Sequence, residues 1–71
     1  MSMIMTAYKP TEAARRRRAL LGNPLLLTEV HVHPGGRAVA LYGAHPTMQF
    51  GSLQELLGNH ELETSDLEIV P

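Results

Sequence analysis

Two histidines, His31 and His33, stand two residues apart in the stretch EVHVHPGGRAVALYG. On a strand, both imidazoles project from one face, about 6.8 Å apart, so they can reach a common metal ion. A zinc site needs three or four ligands. Glu29 continues the row but lies about 13 Å from His33 along a straight strand. His31 and His33 are therefore weak metal candidates on a half-exposed face, and the alternative is a metal shared with a second copy across a dimer axis.

Four consecutive arginines, residues 15–18, could contact nucleic acid, another protein or a membrane surface. On a helix they spread around the axis, so two or three at most face one duplex. Arg17 falls on the apolar stripe of that helix with Ala13, Ala14, Leu20 and Leu21. The pattern predicts that Arg15, Arg16 and Arg18 point to solvent and contact a partner.

The net charge of −1 conceals an uneven distribution. Residues 1–37 carry all six Lys and Arg and two acids, which gives +4, whereas residues 38–71 carry five acids and no Lys or Arg, which gives −5. Such asymmetry indicates electrostatic partners. The acidic second half opposes binding to a polyanion, and the two Tyr and one Phe offer little base stacking.

Catalytic patterns are poor in this chain. There is no cysteine, no phosphate-binding GxxxxGK[ST] loop and no recognisable Ser-His-Asp spacing. A pocket of about 300 Å³ or more is hard to build in a chain this short. We therefore expect no enzyme activity, no cofactor and no small-molecule substrate.

The elements that position these residues can be predicted from start and stop signals. Thr11 or Pro10 begins a helix over residues 11–21, which Gly22-Asn23-Pro24 ends. A short strand is expected at 47–50. Ser52 and Glu55 then form a capping box for a short helix that Gly58-Asn59 ends, and a last strand lies near 66–70.

Between the helices, residues 25–33 and 37–42 predict an antiparallel hairpin with a turn at Pro34-Gly35-Gly36. If Gly35 and Gly36 form a two-residue loop, Val32 pairs with Val39 and Val30 with Leu41. That register places Thr28, Val30, Val32, Val39 and Leu41 on the core face. It leaves a second, mixed face on which three large residues need cover from a partner: Leu25, Leu27 and Tyr42.

Together these signals predict one small α+β domain over residues 1–71, with a loosely ordered N-terminal arm at 1–9. With neither cysteines nor an export signal nor a long apolar run, we expect a cytoplasmic protein without a membrane span. The function expected is a non-enzymatic protein-interaction module, an accessory, regulatory or inhibitor protein of bacteria or their mobile elements. It would act as a homodimer or by docking on a larger protein through Arg15, Arg16, Arg18, Leu25, Leu27 and Tyr42. The alternative is a nucleic-acid-binding regulator that uses the Arg15–Arg18 helix.

Overall fold

The computed structural model describes residues 4–71. Its elements in chain order are β1 (Thr6–Pro10), α1 (Glu12–Leu20), β2 (Glu29–Val32), β3 (Ala38–Tyr42), β4 (His45–Phe50), α2 (Leu53–Asn59), a 3₁₀ turn (Thr64–Asp66) and β5 (Leu67–Ile69). The strands form one five-stranded sheet in the order β4-β3-β2-β1-β5. Every neighbouring pair is antiparallel, which confirms the predicted α+β class with a small antiparallel sheet.

The N-terminal segment differs from the prediction. Residues 1–9 were expected to form a loose arm, but Thr6–Pro10 is a strand between β2 and β5. The sequence MTAYKP lacks clear alternation, so its pairing partners, rather than its own pattern, determine that it is a strand. Residues 1–3 of the predicted arm lie outside the described residues.

Helix α1 begins and ends where its signals indicate. The Thr11 hydroxyl accepts a hydrogen bond from the Ala14 N–H, and Glu12 lies in the first turn. Gly22 follows the helix with φ +75°, a conformation that costs glycine little. The predicted apolar stripe is wrong except at Ala14, which is fully buried. Ala13 is exposed, and Leu20 and Leu21 are 82% and 73% exposed.

The hairpin forms in a different register from the predicted one. Val30 pairs with Ala40 and Val32 with Ala38, because the His33 N–H bonds to the Arg37 carbonyl and leaves a three-residue loop. Pro34 and Gly35 (φ +98°) form a tight turn closed by the Gly36 N–H on the His33 carbonyl. A shift of one residue moves a whole strand to the other face, so Val39 and Leu41 leave the predicted core face.

Strand β4 and helix α2 follow the hairpin. Gly43 and Ala44 connect Tyr42 to its partner His45, and the β3–β4 register then shifts between Ala40 and Tyr42. Ser52 caps α2 as predicted by accepting the Glu55 N–H. The predicted C-cap is wrong by two residues, because Gly58 and Asn59 are helical and His60 is the cap.

The sheet has one buried face and one open face. The core is built from Val30, Ala38, Ala40 and Phe50 of the sheet together with Leu27, Leu56, Leu57 and Leu62. The alternating strand positions on the opposite side form what we call the outer face, and none of them is buried: Ala7, Lys9, Glu29, His31, Val39, Leu41, Gln49 and Glu68. Within residues 4–71, no helix is long and apolar enough to cross a bilayer.

Candidate functional site

The four arginines of α1 have different partners. Arg16 forms an ion pair with Glu12 one turn earlier, at an exposed position. Arg17 pairs with Asp66. Arg15 and Arg18 bond to backbone carbonyl groups, which carry no formal charge. Two guanidinium charges of the helix therefore lack a carboxylate within ion-pair distance among the described residues.

The Arg17–Asp66 pair connects the helix to the start of β5. Each guanidinium nitrogen lies 3.1 Å from one carboxylate oxygen, so the contact is bidentate. Asp66 also accepts the Glu63 N–H at 2.9 Å and is 8% exposed. The hydrogen bonds from Arg17 and then from Glu63 hold the pKa of the Asp66 carboxyl below its usual range. The basic and acidic halves of the sequence thus partly neutralise each other within one chain.

Arg15 and Arg18 hold the segment that returns from α1 to β2. Arg15 donates to the Leu27 carbonyl at 3.4 Å, and Arg18 donates to the Asn23 carbonyl at 3.3 Å and the His60 carbonyl at 2.7 Å. The segment therefore runs back along the helix. Leu27 points into the core and is 1% exposed, whereas Leu26 is 63% exposed.

The end of α1 and this returning segment expose three large leucine side chains. Leu20, Leu21 and Leu26 are 82%, 73% and 63% exposed. We call the set of five the leucine–arginine patch: Arg15, Arg18, Leu20, Leu21 and Leu26. Three leucines this exposed in one short stretch of chain make this surface a candidate for interaction with a partner.

A small depression adjoins the patch. It encloses about 210 Å³ and is lined in part by Arg18, Leu25, Leu26, Tyr42, His60 and Glu61. This volume is below the range of small-molecule pockets, about 300–1,000 Å³, but suits one inserted side chain. We call it the Tyr42 pocket.

The floor of the Tyr42 pocket is held by a tyrosine–histidine contact. The His60 Nδ1 donates to the Leu56 carbonyl at 2.6 Å, so its Nε2 accepts from the Tyr42 hydroxyl at 2.5 Å. The two rings stack with centroids 5.7 Å apart, and Phe50 meets His60 edge-on. Burial raises the pKa of the Tyr42 hydroxyl. These contacts hold the Tyr42 and His60 side chains in place in the lining of the pocket.

No protein-family model matches this chain, and comparison with curated proteins and with solved structures found no match. A proposal of function therefore rests on the chemistry of the exposed residues.

The predicted partner-binding residues are partly brought together. Arg18, Leu25, Leu27 and Tyr42 all line the Tyr42 pocket. Leu27 is nevertheless a core residue, and Leu25 and Tyr42 pack against that core, so they do not form the uncovered sheet face that was predicted. Arg15 is exposed as predicted, but Arg18 is half-buried through its bonds to two carbonyls.

The predicted histidine pair does not converge on one point. His31 Nε2 lies 3.0 Å from the Glu29 carboxylate, while His33 follows β2 at the exposed turn. Across residues 4–71, no three His, Cys, Asp or Glu side chains are placed to share a metal ion.

Sequence reasoning missed His60 and Asp66. Asp66 stands three residues after Glu63, a spacing at which Asp side chains bond back to the chain, so a local turn signal was present. Nothing local points to His60, because its contacts with Tyr42 and Phe50 arise only from the fold.

Proposed function

We propose that this chain is a protein-interaction module that docks on a larger protein through the leucine–arginine patch. The partner segment would be acidic and would carry a large apolar side chain. The observation that carries the proposal is the exposure of three leucines, 63–82%, in the same short stretch of chain as two arginines that have no carboxylate partner within the described residues. Such a module would serve as an accessory, regulatory or inhibitor protein.

The chemistry of the patch supports an acidic, apolar partner. Covering one exposed leucine contributes about 1.5–3 kcal/mol, so three leucines can provide most of the affinity of a micromolar complex. The uncompensated charges of Arg15 and Arg18 would accelerate encounter with an acidic segment and exclude a basic one.

The concave Tyr42 pocket favours a protein over a bilayer. A membrane-surface helix presents a continuous apolar stripe, whereas α1 has nine residues and buries only Ala14. Its exposed leucines lie at the helix end and on the following segment, where Leu26 lines a depression that suits one side chain.

Nucleic acid is the alternative that the patch supports less well. Arg16 and Arg17 are already paired with carboxylates, which leaves two unpaired guanidinium groups of α1 for phosphates. Affinity for a duplex depends on the number of phosphates that are neutralised, so two contacts predict weak binding.

The test is titration with short synthetic peptides that place one leucine between glutamates, compared with the same leucine between lysines. The double variant Leu20→Ser/Leu26→Ser should bind the acidic peptide at least about tenfold more weakly, because it removes two apolar anchors. Ile69→Ser is the matched control, since Ile69 is 65% exposed and lies on β5.

Charge is tested separately with adjacent arginines. Arg15→Gln should weaken the acidic peptide about threefold at low salt, whereas Arg16→Gln, which removes a charge already paired to Glu12, should change it little. Equal binding by wild type and the leucine double variant overturns the proposal. So does a preference for duplex DNA or phosphatidylserine vesicles over the acidic peptide, and the DNA outcome would favour the alternative function.

A further inference from the structure

A second surface, the outer face of the sheet, lies away from the leucine–arginine patch. Arg15 and Arg18 of α1 contact the Leu27 and His60 carbonyls, and Leu56 and Leu57 of α2 join the core. Both helices therefore lie on the buried side. His33 and Arg37, which face each other across the hairpin turn, continue the outer face beyond its strands.

The outer face has a middle of mixed polarity and charged ends. Ala7, His31, Val39 and Gln49 form one row across four strands, and Leu41 lies beside it. The end next to the turn carries Arg37 and His33 around a broad open depression of about 730 Å³.

The opposite end of the outer face is acidic. It carries Glu29, together with the cross-strand pair Lys9 and Glu68, so its net charge is negative. A cationic end, a middle of mixed polarity and an acidic end therefore follow one another along the strand direction.

We propose that the outer face binds the same face of a second copy of this chain. A two-fold axis in the sheet plane and perpendicular to the strands places each strand over its own copy and exchanges the two ends. Arg37 and His33 of each copy then meet Glu29 of the other, and the two middle rows, with Ala7 and Val39 as their apolar residues, pack on each other. The face is thus complementary to itself in charge, which is the requirement of an isologous interface.

The size of the face predicts a weak dimer. Five strands at about 4.8 Å and about five residues at about 3.3 Å cover roughly 400 Å². The side chains of a pleated sheet expose more surface than this planar area. Pairing two such faces therefore removes on the order of 1,000 Å² of accessible surface from water, an area at the low end of the range for specific interfaces. We expect a dissociation constant on the order of 100 μM.

Sedimentation equilibrium across a concentration series is the test. The wild-type mass should rise from 7.8 kDa towards twice that value with concentration. Arg37→Glu and Glu29→Arg should each weaken association by about tenfold, and the double variant should restore it, since the reversed charges meet again. Gln54→Glu on the exposed side of α2 is the control for a change of charge alone.

Chemical-shift changes on dilution locate the interface independently of any variant. Changes at Ala7, His31 and Val39 support the outer face. Changes confined to Leu20, Leu21 and Leu26 overturn it and place self-association at the leucine–arginine patch. A protein that stays monomeric at every concentration, or single charge reversals that leave association unchanged, would also overturn the proposed dimer. Neither outcome affects peptide binding by the leucine–arginine patch.

Discussion

At the scale of single residues, Asp66 joins two parts of the fold that are far apart in the sequence. Its carboxylate receives two guanidinium hydrogen bonds from Arg17 and one N–H from Glu63, and so joins α1 to the 3₁₀ turn that precedes β5. Arg17 is half-exposed, so water screens part of the attraction. The contact nevertheless fixes the position of the helix that carries the leucine–arginine patch.

We expect Asp66→Asn to lower the free energy of unfolding by about 1–2 kcal/mol, because it weakens one bidentate contact and one turn cap. The pKa of Asp66 is lower in the folded chain than in the unfolded chain. Its contribution to the free energy of unfolding is therefore complete above the unfolded pKa of about 3.9 and is lost as pH falls through the folded pKa. Denaturant titrations at pH 7 and through the acid range measure both effects. An unchanged acid dependence in the variant would contradict this role.

At the scale of elements, the helix N-caps and the position of the hairpin turn were predictable, whereas strand pairing was not. Thr11 and Ser52 cap their helices as local chemistry requires. The hairpin register was wrong by one residue, because both two- and three-residue loops suit Pro34-Gly35-Gly36 and only packing selects between them. The leucine–arginine patch could be predicted only in part for the same reason: the arginine run is visible in the sequence, whereas the exposure of Leu26 and the burial of Leu27 depend on packing.

Two glycines in different elements should respond oppositely to the same substitution. Gly58 is helical, and an added Cβ meets nothing within 4 Å, so Gly58→Ala should stabilise the fold by about 0.5–1 kcal/mol. Gly35 has φ +98°, so Gly35→Ala should destabilise it by about 1 kcal/mol or more. Thermal unfolding resolves both, since 1 kcal/mol shifts Tm by about 4–8 °C in a domain of this size. Shifts of the same sign would refute these backbone assignments.

At the scale of the whole molecule, β1 completes the sheet. It pairs with β2 on one side and β5 on the other, through three residue pairs in each case. The sequence contains no strong sign of this role, because a strand with neighbours on both sides owes its stability to contacts far along the chain. The segment that was expected to be a loose arm therefore joins the C-terminal strand β5 to β2 and the rest of the sheet.

Deletion of residues 1–9 should abolish cooperative unfolding, because it separates β5 from the sheet and leaves one edge of β2 without a hydrogen-bonded neighbour. Circular dichroism during heating measures the transition. Lys9→Ala in the full-length chain is the control, since that side chain is exposed on β1, and it should leave the midpoint nearly unchanged. A truncated chain with a sharp transition near the wild-type midpoint would show that β1 is dispensable.

Strand β4 is an edge of the sheet, and its irregular backbone hinders the addition of further strands at high protein concentration. Pro46 lacks an N–H, and the shifted register opposite Ala40 and Tyr42 interrupts the even spacing that an added strand would need. The other edge, β5, offers only three residues. Neither edge is a good template for fibril growth, so crowding should lead to small closed assemblies rather than to amyloid.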